Sequence, residues 1–197
     1  MDHANRPTPA LEAAIAIADR VGLNQARPVV LRNSNYTSIH LMPYPVVARV
    51  SCCAAKTRAV VMKREVAVAK HLAKAGASVV RASTNPPAGP YFHESAVVTL
   101  WERVAHRPAG DRDAVLAAET LQAVQAALAD YSGTLPSFLE KVDQCRSLLV
   151  KDGSLPSLTP ADRMFLLAQH ECLRERLAAL RWTAIPLMAT PTSAMFW

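Results

Sequence analysis

The chain of 197 residues reads as an α+β protein, a five-stranded antiparallel sheet bearing one helix and followed by an all-helical segment. Three observations carry that reading. Short β-prone runs are confined to the stretch between Pro28 and Trp101. One long amphipathic run, Ala59 to Ala75, interrupts them after the third. Beyond Arg103 the β character fades and apolar residues recur at helical spacing. A hydrophobic fraction of 51% with 19% charged residues of both signs supplies a core and argues against intrinsic disorder.

The elements follow in order. Leu11, Ala14, Ile15, Ala18 and Val21 share one helical face between Pro9 and Val21, with Gly22 to end it, so an N-terminal cap helix is expected. Val29-Val-Leu31, Thr37 to Met42 and Pro45 to Ser51 are three strands, separated by the turn-formers Asn33-Ser34-Asn35 and Pro43-Tyr44-Pro45. The helix Ala59 to Ala75 places Val61, Val66, Val68, Ala69 and Leu72 among basic residues and stops at Gly76. Ser78 to Ser83 and Ser95 to Trp101 are the fourth and fifth strands, flanking the turn-rich Asn85 to Pro90. After a linker at Ala105 to Gly110, a helix runs from Asp111 to Asp130 with Asp111 or Asp113 as its cap. A turn at Ser132 to Pro136 and a short segment from Phe138 to Leu149 follow. Thr159-Pro-Ala-Asp162 opens a last helix that reaches about Arg181.

Composition narrows the function classes. The formal charge of +6 suits an anionic ligand, but the cations are scattered and rarely interleaved with aromatics, so nucleic acid is not an expected partner. No apolar run approaches the roughly 18 residues a membrane span needs. Met1 to Pro9 lack the basic start and apolar core of a secretory signal, which sets the expectation of a cytoplasmic chain. Cys52, Cys53, Cys145 and Cys172 show no Cys-x-x-Cys spacing, so no zinc site is expected and the thiols are read as reduced and partly buried. His93-Glu94 and His170-Glu171 lack metal-ligand spacing, and His40 and His71 are isolated, which favours structural or solvated roles.

Several short motifs go beyond fold class: Val47-Ala-Arg-Val50 on the third strand, Arg64-Glu65 on the following helix, Trp101-Glu-Arg-Val104 after the fifth strand, and Leu121-Gln-Ala-Val-Gln-Ala-Ala-Leu-Ala-Asp-Tyr131. On these, residues 27–187 resemble the aminoglycoside phosphotransferase family, itself similar to choline and homoserine kinases. The last run resembles the family's Leu-His-Ala-Ala-Leu helix, with Gln125 where many members carry histidine. The resemblance implies a protein-kinase-like N-lobe over residues 27–104, preceded by a helical extension at 1–26 and followed by a partial helical C-lobe at 105–187. It implies transfer of the γ-phosphate of ATP, or GTP, with Mg2+, to the hydroxyl of a small-molecule acceptor. Arg49 then occupies the phosphate-cation position and Glu65 is its orienting carboxylate. An ordinary strand-to-helix ion pair is the competing account of these two residues. Asn35 and Tyr36 fall in the phosphate-covering turn, where a plain hairpin without glycine is an equal alternative. Trp101 and Glu102 fall in the hinge, residues 99–104, that offers backbone groups to the base, with Trp101 equally suited to core packing.

In the family, the helix ending near Arg181 leads to a loop His-Gly-Asp-x-His-x-x-Asn and, later, a metal-binding Asp. The first Asp serves the acceptor hydroxyl, and the Asn and later Asp hold magnesium. Ile185-Pro186-Leu187 suits the approach to that loop, but residues 188–197 read Met-Ala-Thr-Pro-Thr-Ser-Ala-Met-Phe-Trp. If His-Gly-Asp-Ala-His-Leu-Gly-Asn-Val-Leu is encoded CAT GGC GAC GCC CAC CTC GGC AAT GTT CTG G, loss of the first C yields this tail residue for residue. The expectation is therefore a frameshifted tail and a chain truncated relative to the family, with no catalytic or metal residues and impaired turnover. An alternative frame that encodes no further helical lobe in the DNA would remove that idea. Uncovered apolar surface, including Met195-Phe-Trp197, implies self-association. A non-catalytic nucleotide- or partner-binding module, and an α+β protein with no nucleotide role, are the other readings.

Overall fold

The computed structural model describes residues 8–53, 55–105, 110, 113–151 and 157–180. It is an α+β chain with the sheet N-terminal and most of the helices after it, and it divides into two compact units at Tyr131/Ser132. The tail 188–197, including Met195-Phe-Trp197, and Asp111 lie outside the described residues.

In the first unit, α1 (Pro9–Arg20) precedes β1 (Arg27–Asn33), β2 (Thr37–Met42) and β3 (Val46–Ser51). Then come α2 (Ala55–Lys74), β4 (Tyr91–His93), β5 (Ala96–Glu102) and α3 (Ala114–Ala129). The five strands form one antiparallel sheet in the order β1-β2-β3-β5-β4. Strand alternation sorts the central residues between two helices. Ala48, Val50, Val98 and Leu100 turn to one face, where Ala13, Ala14, Ile17 and Ala18 of α1 cover them. On the other face Val47 and Trp101 pack with Val66 and Ala69 of α2 and with Ala82 and Ala88. The cap helix is thus part of the core.

Helix ends follow from local chemistry. Gly22 and Gly76 adopt φ of +84° and +80°, the left-handed geometry that lets a chain leave a helix while its last carbonyls stay bonded. Ala77 N–H donates to Leu72 O at 3.0 Å and Gly76 N–H to Ala73 O at 3.2 Å, closing α2. That helix begins four residues earlier than its apolar period implies, because Lys56, Thr57 and Arg58 mask the amphipathic signal in its first turn. At α3, Asp113 makes no capping bond; its carboxylate instead accepts from Gly110 N–H at 2.8 Å.

The fourth strand is not where the sequence reading places it. Residues 78–83 contribute a single bridge, Ala82 to Trp101, and β4 is Tyr91–His93. Pro86, Pro87 and Pro90 cannot donate to a ladder, so the segment folds back. It covers one edge of β5 in pieces: Ser83 N–H donates to Leu100 O, Leu100 N–H to Ala88 O and Glu102 N–H to Arg81 O, each at 2.9–3.0 Å.

The second unit holds α4 (Phe138–Val150) and α5 (Pro160–Ala179). Ser137 Oγ accepts from Glu140 N–H and Thr159 Oγ1 from Asp162 N–H, both at 3.1 Å, so each helix opens on a side-chain cap. Arg174 donates to both oxygens of Asp143, at 2.6 and 3.3 Å, and His170 Nε2 donates to Val142 O at 2.9 Å. Arg174 holds the Asp143 carboxyl below its ordinary range, chiefly through that hydrogen bond. Helix α5 has no buried residue, and Met164, Phe165 and Leu173 are exposed. All four cysteines are exposed free thiols, which corrects the expectation of partial burial: Cys52 and Cys53 follow β3 in a bend, and Cys145 and Cys172 lie on helices with little core. Among the described residues no helix is long and apolar enough to cross a membrane.

Candidate functional site

Arg49 sits on β3, one of two central strands buried on both faces, and alternation turns it toward α2 together with Val47, Thr99 and Trp101. It is a buried cation, 8% exposed. Its Nη1 donates to Glu65 Oε2 at 3.0 Å, an ion pair between strand and helix. The guanidinium also lies 3.9 Å from the centre of the Tyr36 ring, a cation-π contact. Tyr36 OH accepts from Arg58 Nη1 at 3.2 Å, and the Arg58 guanidinium stands 5.3 Å from the same ring. Tyr36 is therefore held between two arginines.

Burial pushes the Glu65 carboxyl above its ordinary range, while Arg49, Arg58 and Arg64 pull it down. The 3.0 Å contact and the upward shift point in opposite directions. Both are physical, since taking a carboxylate out of water can cost more than one adjacent cation returns.

Beside this cluster is a cavity of about 360 Å³, at the small end of ligand-sized clefts. Leu31, Val47 and Val80 give it apolar walls, Arg32 and Arg49 supply charge, and Trp101 to Val104 form one side. Leu31 and Arg32 are consecutive yet both line it. The register of β1 slips between Val30 and Arg32, and such a bulge re-aims a side chain that regular alternation would turn away.

The residues expected to act together are brought together in part. Arg49, Glu65 and Tyr36 form one contact cluster, and Arg49, Trp101 and Glu102 line one cavity. Trp101 is also core, 6% exposed, with its indole N–H donating to Thr99 Oγ1 at 3.0 Å. Asn35 is exposed at the β1–β2 turn and does not line the cavity. No residue of 33–36 is left-handed; the turn closes through Ser34 N–H to Tyr36 O and Thr37 Oγ1 to Asn33 Oδ1, both at 3.1 Å. In the segment expected to be a hinge, Glu102 N–H and Arg103 N–H are engaged by Arg81 O and Pro45 O at 2.9 Å, so these two amides serve the fold.

Arg58 was not singled out in the sequence, and Val47 and Arg103 stood only inside the motifs Val47-Ala-Arg-Val50 and Trp101-Glu-Arg-Val104, with no site role of their own. Arg58 stands seven residues before Glu65, two helical turns and so on the same face of α2; Val47 stands two before Arg49 on one strand face. Those spacings were available as signals. Among the described residues no group of three or more His, Cys, Asp or Glu side chains could hold a metal ion. His71 Nε2 donates to Ala127 O at 2.8 Å, joining α2 to α3, and His40 Nε2 to Tyr44 O at 3.0 Å, both structural roles. No protein-family model matches the chain, and no curated protein matches it.

Proposed function

We propose that the first unit binds a nucleoside triphosphate and that the chain is of the aminoglycoside-phosphotransferase-like, small-molecule kinase lineage. The supporting observation is Arg49: a buried cation at the wall of a cleft, held from behind by Glu65. A cation already oriented by a carboxylate and an aromatic face meets a phosphate without first losing side-chain freedom. The apolar pair Leu31 and Val47 suits the faces of a base. Magnesium enters this reading only on the nucleotide's own phosphates, since the described residues offer it no ligand cluster.

Binding without efficient turnover is the form of the proposal for this chain. Phosphoryl transfer needs a group to orient the acceptor hydroxyl and groups to neutralise charge developing on the phosphoryl oxygens. Residues 188–197, at the position of the family's catalytic loop, contain no Asp, Asn or His. That composition also favours the second reading, a non-catalytic nucleotide-binding module.

Calorimetric titration of the full chain with Mg·ATP and Mg·GTP tests the proposal. At least one should bind, Arg49→Ala should weaken it by about tenfold or more, and Arg49→Lys should restore part of the loss. Absence of binding by either nucleotide, or equal affinity in the Arg49→Ala chain, overturns it.

A further inference from the structure

We propose that Cys52 and Cys53 form a two-thiol site for trivalent arsenic compounds at the junction between β3 and α2. The site is independent of nucleotide binding. Both thiols are exposed and free. They stand after the last residue of β3, Ser51, and before the first turn of α2, so neither is committed to a ladder or a helix. In a continuing strand successive side chains would turn to opposite faces of the sheet. Here the strand ends at Ser51 and the chain bends at Cys53, which releases the pair from that alternation. The two sulfurs are near enough to act on each other: partial burial raises the Cys52 thiol above its ordinary range, and the charge of Cys53 raises it further.

The pair is better suited to a bridging atom than to a direct bond. Neighbouring Cα atoms stand about 3.8 Å apart, whereas disulfides span about 4.4–6.8 Å between Cα atoms, so joining these two sulfurs directly is strained. An atom placed between them lengthens the link and relieves that strain. Thiolates select soft acceptors, and among the described residues no group of three or more His, Cys, Asp or Glu is present to build a tetrahedral zinc site. Trivalent arsenic needs only two protein thiols, because it brings its third substituent with it. With phenylarsine oxide, two As–S bonds form while the As=O bond and two S–H bonds break. The oxygen leaves as water with both thiol protons, and arsenic stays trivalent. Cys145 and Cys172 cannot form this chelate, since they lie on α4 and α5 and only one of the two helices could present its thiol to the other. His170 and Arg174 turn toward α4, and Cys172, midway between them, lies about 200° round the helix from each.

The test titrates phenylarsine oxide into the full, reduced chain in the presence of excess glutathione, with intact mass counting the adduct. One arsenical should be held against glutathione and released by the dithiol dimercaptopropanol. Cys52→Ser and Cys53→Ser should each weaken retention by about 100-fold or more, because the second As–S bond is then no longer intramolecular. A chain carrying both Cys145→Ser and Cys172→Ser should retain the arsenical as the unaltered chain does, with the melting curve checking the fold of every variant. Absence of a glutathione-resistant adduct on the unaltered chain overturns the assignment. So does an adduct that survives in Cys52→Ser or Cys53→Ser, or one that is lost with Cys145 and Cys172.

Discussion

Removing one member of the Arg49–Glu65 pair should be far more damaging than removing both. Their side chains are 10% and 21% exposed, so either single change strands a charge that water reaches poorly. Breaking a buried pair from one side costs about 3 kcal/mol at the lower end, appropriate here because Glu65 keeps some access to solvent. For a unit of this size that lowers the melting temperature by on the order of 10 °C. Arg49→Met and Glu65→Gln should each approach that loss. The double variant should recover at least about 1 kcal/mol of the summed cost, because Arg49→Met and Glu65→Gln together leave no unpaired charge. Urea unfolding followed by far-ultraviolet circular dichroism measures all four states. The sign of the pH dependence follows from Glu65. Its carboxyl is raised by burial, so the folded chain holds this proton to higher pH than the unfolded chain does. The group's contribution is therefore most favourable at acid pH and is lost as pH climbs from the unfolded carboxylate range through the raised folded value. Arg49→Met removes the strongest opposing pull, so that falling window must move to higher pH and deepen. Losses below about 0.5 kcal/mol that simply add, with no change in pH profile, would mean a solvated surface pair and would refute the reasoning.

Two further predictions concern the scaffold. Ile17 of α1 is fully buried against the sheet, so Ile17→Ala should cost about 3 kcal/mol in chemical unfolding, and a cost under about 1 kcal/mol would show the helix to be a loose appendage. Gly89→Ala should destabilise more than Gly76→Ala in thermal melts. Both positions are left-handed, worth about 1 kcal/mol each, but a Cβ at Gly89 would stand 2.6 Å from Tyr91 Cδ2 while at Gly76 it meets open space. Equal melting shifts would contradict that difference.

What could be read without coordinates was whatever rests on period and punctuation. The α+β order, the opening of α5 at Thr159-Pro160, and the end of α2 at Gly76 all follow from rules that act over a few residues. The Arg49–Glu65 contact joins residues 16 apart, and it was expected only through the resemblance, which pairs a cation on the third strand with a carboxylate on the next helix. The fourth strand was misplaced because Ser78 to Ser83 carries good β composition, yet pairing depends on which segment the prolines leave facing β5. Arg103 lay inside the motif Trp101-Glu-Arg-Val104, yet its place at the cavity wall was not legible there. Its Nε is buried, and whether a buried donor finds an acceptor depends on three-dimensional satisfaction, which no spacing rule encodes.

Arginine at position 49 fits its neighbours. A lysine at this depth would present a compact ammonium that could pair with Glu65, but it would also be pushed toward its neutral form by desolvation. A planar guanidinium can lie over the Tyr36 ring and donate sideways to Glu65 at once, and both contacts are made here. Tyr36 is in turn fixed by Arg58 from the first turns of α2, so the β1–β2 turn, β3 and α2 are tied through one aromatic ring. Arg49 is therefore coupled to Tyr36 and Arg58. Arg49→Lys in the otherwise unaltered chain keeps the charge and loses the geometry that the other two residues are arranged to hold.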